Sequence, residues 1–154
     1  MLTIRKGLPE DESFLVEHAY RLVEFGPPSW RGDQAPMTQT DIKHIKHALL
    51  SGDKEMEVLI AMDENGQRVG FLHMRMLEDY YTEEMHAHIT DIVVIASAEG
   101  KGVGRFLLEQ ADEWARQKNS RWITLNAFEK NTHARNVYEK AGYKQEWIKY
   151  LKEL

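Results

Sequence analysis

Glu99-Gly100-Lys101-Gly102-Val103-Gly104-Arg105 gathers three glycines and two cations into one short stretch. Glycine lets the backbone come close to a ligand, and N–H groups at the start of a helix converge with its dipole on a site suited to a pyrophosphate. Lys101 and Arg105 add positive charge to such a site. The spacing is not that of a Gly-x-x-x-x-Gly-Lys-Ser/Thr phosphate loop, and a dinucleotide fingerprint belongs near the start of its strand-helix-strand unit. Further along, Asn131-Thr132-His133-Ala134-Arg135-Asn136-Val137-Tyr138-Glu139-Lys140-Ala141-Gly142-Tyr143 places an amide, a phenol and a closing glycine in one short segment. Upstream, His86, His88, Thr90 and Asp91 share one strand-like run. Strict alternation sets His86, His88 and Thr90 on one face and Asp91 on the other, unless a bulge re-aims the strand. The pairs His86/His88 and His44/His47 lack both a His-Glu-x-x-His pattern and a further ligand, so no metal is expected.

The elements that must position these groups are legible from periodicity. Leu2 to Arg5 reads as an edge strand, and Pro9 opens a helix whose Phe14, Leu15, His18, Leu22 and Phe25 share a face, ending near Gly26. Gly26 to Pro36 is Pro/Gly-rich and reads as a loop, with Trp30 set to pack over a cleft. Thr38 and Asp41 resemble a capping pair for a second helix carrying Ile42, Ile45 and Leu49, stopped by Gly52. Met56 to Met62 and Arg68 to Met76 are strand-like runs joined through Asn65-Gly66, a tight-hairpin signal. His86 to Ile95 reads as a central strand, Gly102 to Lys118 as an amphipathic helix, and Trp122 to Ala127 as the next strand. That order implies a parallel pair with a right-handed crossover and a crevice beyond the strands' carboxyl ends. A last helix spans Thr132 to Ala141, and Trp147 to Leu151 is expected to form a closing strand.

With 154 residues, the chain is long enough for one sizeable core and short for two, so residues 1–154 are expected to form a single domain. No stretch approaches the roughly 20 apolar residues of a membrane helix, and no secretory core follows Met1, so no membrane association and a cytoplasmic location are expected. The absence of cysteine excludes a disulfide framework, a thiolate zinc site and a cysteine acyl-enzyme. A net charge of -5 argues against nucleic acid as a partner and suits a cationic one. The acidic run Glu78-Asp79-Tyr80-Tyr81-Thr82-Glu83-Glu84 is a candidate lining for such a ligand.

Taken together, the glycine loop and the Asn-x-x-Ala-x-x-x-Tyr-x-x-x-Gly-Tyr segment resemble the GCN5-related N-acetyltransferase (GNAT) family in order and separation. The resemblance covers residues 86–143. It implies an α+β fold: a central mixed, mostly antiparallel sheet flanked by helices, with a splayed parallel strand pair forming the cofactor crevice. It also implies acetyl-coenzyme A as co-substrate. The backbone of Ile92, Val93 and Val94 would hold the pantetheine arm, Gly100, Lys101, Gly102, Val103, Gly104 and Arg105 the pyrophosphate, and Asn131 would orient the cofactor from the other side. Glu99 departs from the family's usual Gln or Arg, and an acidic side chain is unfavourable beside a pyrophosphate.

The implied reaction is direct attack of an amine on the thioester in a ternary complex. It needs a proton acceptor for the ammonium, a donor for the oxyanion and a proton for the departing thiolate. The resemblance gives the last task to Tyr138, whose phenol is protonated at neutral pH. His88 and Asp91 are the two candidates for the base, and a backbone N–H near Ile92 is the oxyanion donor. Trp30, Asn126 and Tyr80 are the candidate acceptor contacts. The expected acceptor is a primary amine on a small cationic molecule. Peptide or protein amino termini or lysines form an alternative class, and a non-catalytic acyl-coenzyme A sensor a third. Exposed strand edges with Trp147 and Tyr150 leave a homodimer open.

Overall fold

The computed structural model describes residues 1–154. Five strands form one sheet in sequence order: β1 (Thr3–Lys6), β2 (Met56–Met62), β3 (Arg68–Glu78), β4 (Met85–Val94) and β5 (Ile123–Leu125). The first four are antiparallel, and β4 and β5 are parallel. Four α-helices, α1 (Glu12–His18), α2 (Gln34–Leu50), α3 (Val103–Gln117) and α4 (Thr132–Lys140), complete the α+β fold.

The sheet divides the core in two. Leu72, Met74, Ala87 and Ile89 pack under Leu107, Ala111 and Trp114 of α3. Val58, Ile60, Phe71 and Val93 face Leu15 of α1 and Ile45 of α2. Each large aliphatic or aromatic side chain buried this way contributes about 1.5–3 kcal/mol. Gly70 permits the close packing of α3, because a Cβ there would lie 2.6 Å from the Val93 carbonyl oxygen and 3.2 Å from Leu107.

Register determines which polar groups meet. Across β3 and β4, Phe71 pairs with Val93, His73 with Asp91, Arg75 with His88 and Leu77 with His86, so these side chains share the face toward α1 and α2. Met74 pairs with Ile89, which leaves Thr90 as an extra residue in β4. This bulge re-aims the strand and brings Asp91 to the same face as His86 and His88. β5 pairs with β4 only through Ala87–Ile123, His88–Thr124 and Ile89–Leu125, and the two strands part beyond that point.

Three expectations need correction. The first helix is not continuous to Gly26. After α1 the chain tightens into a 3-10 turn at Ala19–Leu22, which sends Val23 rather than Phe25 into the core. The second helix begins at Gln34, not near Thr38, with Asp33 extended before it. Pro36 is tolerated there because first-turn N–H groups have no helical partner to lose. Trp147 to Leu151 forms no strand, and Trp147, Ile148 and Tyr150 stand exposed. A strand needs a partner edge, and β5, three residues long, offers few ladder bonds.

A buried ion cluster fixes the start of the chain. Asp11, fully buried, accepts from Arg5 Nη1 and Nη2 at 2.7 and 2.8 Å, from the Leu8 N–H at 2.8 Å and from Arg68 Nε at 2.6 Å. These bonds, Arg5 foremost, hold its carboxyl well below the usual carboxylate range. No helix is long and apolar enough to cross a membrane.

Candidate active site

The glycine loop follows a 3-10 turn at Ala96–Ala98 and runs into α3. Gly100 and Gly102 adopt φ of 72° and 80°, a left-handed backbone that L side chains resist. Nothing lies within 4 Å of a Cβ built on either, so the space before them is open. The N–H groups of Val103, Gly104 and Arg105 fall in the first turn of α3 and lack intrahelical acceptors. With the dipole behind them, they are groups of the kind that suits an anion. Val103 turns its side chain into the core, so only its backbone is available. Lys101 is exposed, while Arg105 pairs along α3 with Glu109 at 3.0 Å.

The free edge of β4 supplies a second set of backbone groups. The Ile95 N–H donates to Val69 at 3.1 Å, and the Val94 carbonyl points the other way, accepting from Arg21 Nε at 3.2 Å. Alternation therefore turns the backbone groups of Ile92 and Val94 toward the gap between β4 and β5. Val93 is anchored in the core. Arg21 also forms ion pairs with Glu24 and Glu99. The acidic residue at the start of the glycine loop is thus neutralised by the Ala19–Leu22 turn.

On the far side of the gap, Asn131 caps α4, its Oδ1 accepting from the Ala134 N–H at 3.2 Å. Gly26 packs against this cap, since a Cβ there would lie 2.9 Å from the Asn131 and Phe128 Cβ atoms. The loop that holds Trp30 is thereby tied to the β5–α4 connection, and the Arg31 guanidinium lies 4.5 Å from the Trp30 ring centroid and 5.5 Å from that of Phe128. Tyr138 is half-buried against the α3-side core, and burial raises its phenol above the usual value. Its ring centroid is 6.1 Å from that of Tyr143. Asn126, exposed, directly follows β5 where the strands have parted.

The bulge brings the remaining groups together. His73 Nδ1 lies 2.7 Å from Asp91 Oδ2, both nearly buried. Because the carboxylate faces Nδ1, the neutral imidazole carries its proton there and leaves Nε2 as an acceptor, buried without a partner. Thr124 Oγ1 lies 2.8 Å from His88 Nδ1 and 3.1 Å from His86 Nε2. Burial, then the charge of Arg75, pushes His88 down to about 4, so it is neutral at physiological pH. Asp41 of α2 faces Asp91. Burial first and the Asp91 charge second raise it to about 6.

His88, Asp91, Ile92 and Val94 therefore lie along β4 around the point where β5 parts from it, with the glycine loop beyond the end of that strand, while Asn131 and Tyr138 come from the cap and helix that follow β5. Tyr80 lies outside this cluster, 85% exposed and edge-on to Tyr81. Two of the four carboxylates in the acidic connector have partners. Asp79 caps the Tyr81 and Thr82 N–H groups, and Glu84 pairs with Arg121. Sequence reasoning did not single out His73, Arg75, Thr124, Arg21 or Asp41's place beside Asp91. The available signal was His73 and Arg75 interrupting the apolar run Leu72 to Leu77 at alternate positions.

A model described as the acetyltransferase (GNAT) family matches residues 17–143. The chain belongs to the GNAT family. Among curated relatives it is 29% identical over 89 residues to the uncharacterized N-acetyltransferase YhfO of Bacillus subtilis, covering 58% of this chain and 60% of that one. It is 30% identical over 90 residues to an aminoalkylphosphonate N-acetyltransferase of Salmonella typhimurium, covering 58% of each. The matched stretch thus spans about three-fifths of the length of these relatives. The fold superposes on that of AAC(6')-Iy in complex with a bisubstrate analog, CoA-S-monomethyl-acetylneamine, with a TM-score of 0.71 at 19% identity, covering 100% of this chain and 99% of that one. At that identity the likeness bears on the fold alone, and it agrees with the GNAT architecture of a mixed sheet split between β4 and β5.

Proposed function

We propose that this chain transfers the acetyl group of acetyl-coenzyme A to a primary amine on a small cationic molecule, by direct attack. When bound, acetyl-coenzyme A supplies the acetyl group as a thioester. The residues present fit it: open space before Gly100 and Gly102, unpartnered N–H groups at Val103, Gly104 and Arg105, and Lys101 beside them suit a pyrophosphate. The crevice-facing backbone of Ile92 and Val94 would hold the pantetheine arm. Asn131 would steady it with the amide nitrogen its cap leaves free.

The acceptor amine enters from the α1 and α2 side, past the Trp30 lip and Asn126. Asp41 and Asp91 attract its ammonium group. The proton leaves to the His73–Asp91 pair, in which carboxylate and imidazole share one hydrogen bond. His88, neutral and tied to Thr124, hydrogen-bonds the incoming amine or its water rather than taking the proton, because a group near 4 holds a proton weakly. The Ile92 N–H donates to the acetyl carbonyl oxygen as charge builds on it. Tyr138, kept protonated by burial, gives its phenolic proton to the departing sulfur.

The observation that carries this reading is the Thr90 bulge, which sets Asp91 against His73 at the point where β5 leaves β4. The named action of the Salmonella relative on an aminoalkyl compound supports a small acceptor. The test is thiol release from acetyl-coenzyme A over a panel of small amines and short peptides, with acetylated product identified by mass. Turnover confined to small amines is expected. Turnover with peptide amino termini alone would replace this acceptor class, and tight cofactor binding with no turnover on any acceptor would favour a sensor.

A further inference from the structure

Arg75 sits in the middle of β3, half-buried, on the face shared by His73, His88 and Asp91. Its Nε is buried with no hydrogen-bond partner. It takes part in none of the chain's ion pairs, although Arg5, Arg21, Arg68 and Arg121 all do. A guanidinium cannot shed its charge, so a half-buried one without an anion is incomplete. Two neighbours on the same face are incomplete in the same way: His73 Nε2 and His86 Nδ1 are buried without partners, in residues 3% and 6% exposed. Arg75 is directly opposite His88, which it faces closely enough to oppose protonation of that ring. The two carboxylates of the cluster, Asp91 and Asp41, lie at its other end, Asp91 one pair along the register at His73. Two residues along a strand span about 7 Å. The face is therefore bipolar, with cation and carboxylates separated by the length of a short molecule.

We propose that Arg75 is the anion-binding residue of the acceptor site, and that the acceptor is a small zwitterion of the amino-acid type. Its carboxylate lies on the Arg75 guanidinium, whose parallel N–H groups match two carboxylate oxygens. Its amino group lies between Asp41 and Asp91, toward the gap. This rests on the acyltransferase reading above and, among small amines, replaces net-cationic acceptors with amines that also bear an acid group.

The test uses matched sets, glycine with glycinamide and methylamine, β-alanine with β-alaninamide and ethylamine, and the protein amino acids with their amides. Each is assayed for thiol release and, separately, for binding to the coenzyme A-saturated protein by calorimetry. In the wild type the acids are expected to exceed their amides and decarboxylated amines by about tenfold or more in kcat/KM or in affinity. Arg75→Gln should erase that preference while melting as the wild type does, and Arg75→Lys should keep part of it. Amides or simple amines that equal the acids, a preference that survives in Arg75→Gln, or no binding of any acid would overturn the assignment. Turnover without acid preference removes the Arg75 site and keeps the acyltransferase reading. Arg75-dependent binding of acids without thiol release does the reverse.

Discussion

His73 on β3 and Asp91 on β4 meet through a hydrogen bond of 2.7 Å only because Thr90 is an extra residue in β4. Without the bulge, Asp91 would face α3 and the apolar half of the core. Removing either partner leaves the other buried and uncompensated, so Asp91→Asn and His73→Gln should each lower kcat/KM by roughly 10²–10³-fold, with KM for acetyl-coenzyme A little changed. Steady-state kinetics with either substrate varied would show this, and thermal melts that match the wild type would separate it from a loss of folded enzyme.

His88 separates the two candidate bases by pH. Held at about 4 by burial and Arg75, it does not titrate between about pH 6 and 9. Any acidic limb of the rate in that range belongs to another group, and His88→Gln should lower the amplitude of the pH profile while leaving its shape. A limb that vanishes in His88→Gln would return the role of base to His88.

Arg21 neutralises Glu99 at the rim of the glycine loop. Arg21→Gln would leave a carboxylate facing the pyrophosphate, and the Michaelis constant for acetyl-coenzyme A should rise about five- to tenfold, equivalent to roughly 1–1.4 kcal/mol. Glu99→Gln in the same chain should recover most of that loss. The double variant is the informative one, because a purely structural role for Arg21 would not be relieved by it.

The start of the chain gives a stability prediction. The Asp11 carboxyl is lowered by Arg5 first, with the Leu8 N–H and Arg68 adding to it. Its contribution is therefore complete above the unfolded value of about 3.9 and falls away as pH drops through the lower folded value. Asp11→Ala should cost roughly 2–4 kcal/mol at neutral pH. The gap between the melts of Asp11→Ala and the wild type should stay constant from about pH 7 down to about pH 4 and begin to narrow only below that.

What was legible in the sequence was local. The glycine loop, the α3 stripe and the last helix are set by residues a few positions apart, and each lies where its own spacing places it. The polar face of His73, Arg75, His88 and Asp91 was not legible, because it is assembled from β3, β4, β5 and α2 by strand register. A single extra residue at Thr90 decides whether Asp91 joins His88 or opposes it. Nor could periodicity find Arg21 beside Glu99, a contact between a 3-10 turn and a loop. Trp147 to Leu151 failed for the converse reason: its composition favours a strand, but pairing depends on an edge elsewhere in the chain.

The measurement that bears most directly on the proposed chemistry compares the wild type with Tyr138→Phe, following thiol release from acetyl-coenzyme A and cofactor binding by calorimetry. The phenol is half-buried against the core, and the substitution removes one oxygen while keeping the ring. Cofactor affinity should be unchanged, and acceptor-dependent turnover should fall by about 10²-fold or more. Wild-type turnover in Tyr138→Phe would contradict the role of Tyr138 as proton donor, and absence of coenzyme A binding in the wild type would contradict the acyltransferase reading itself.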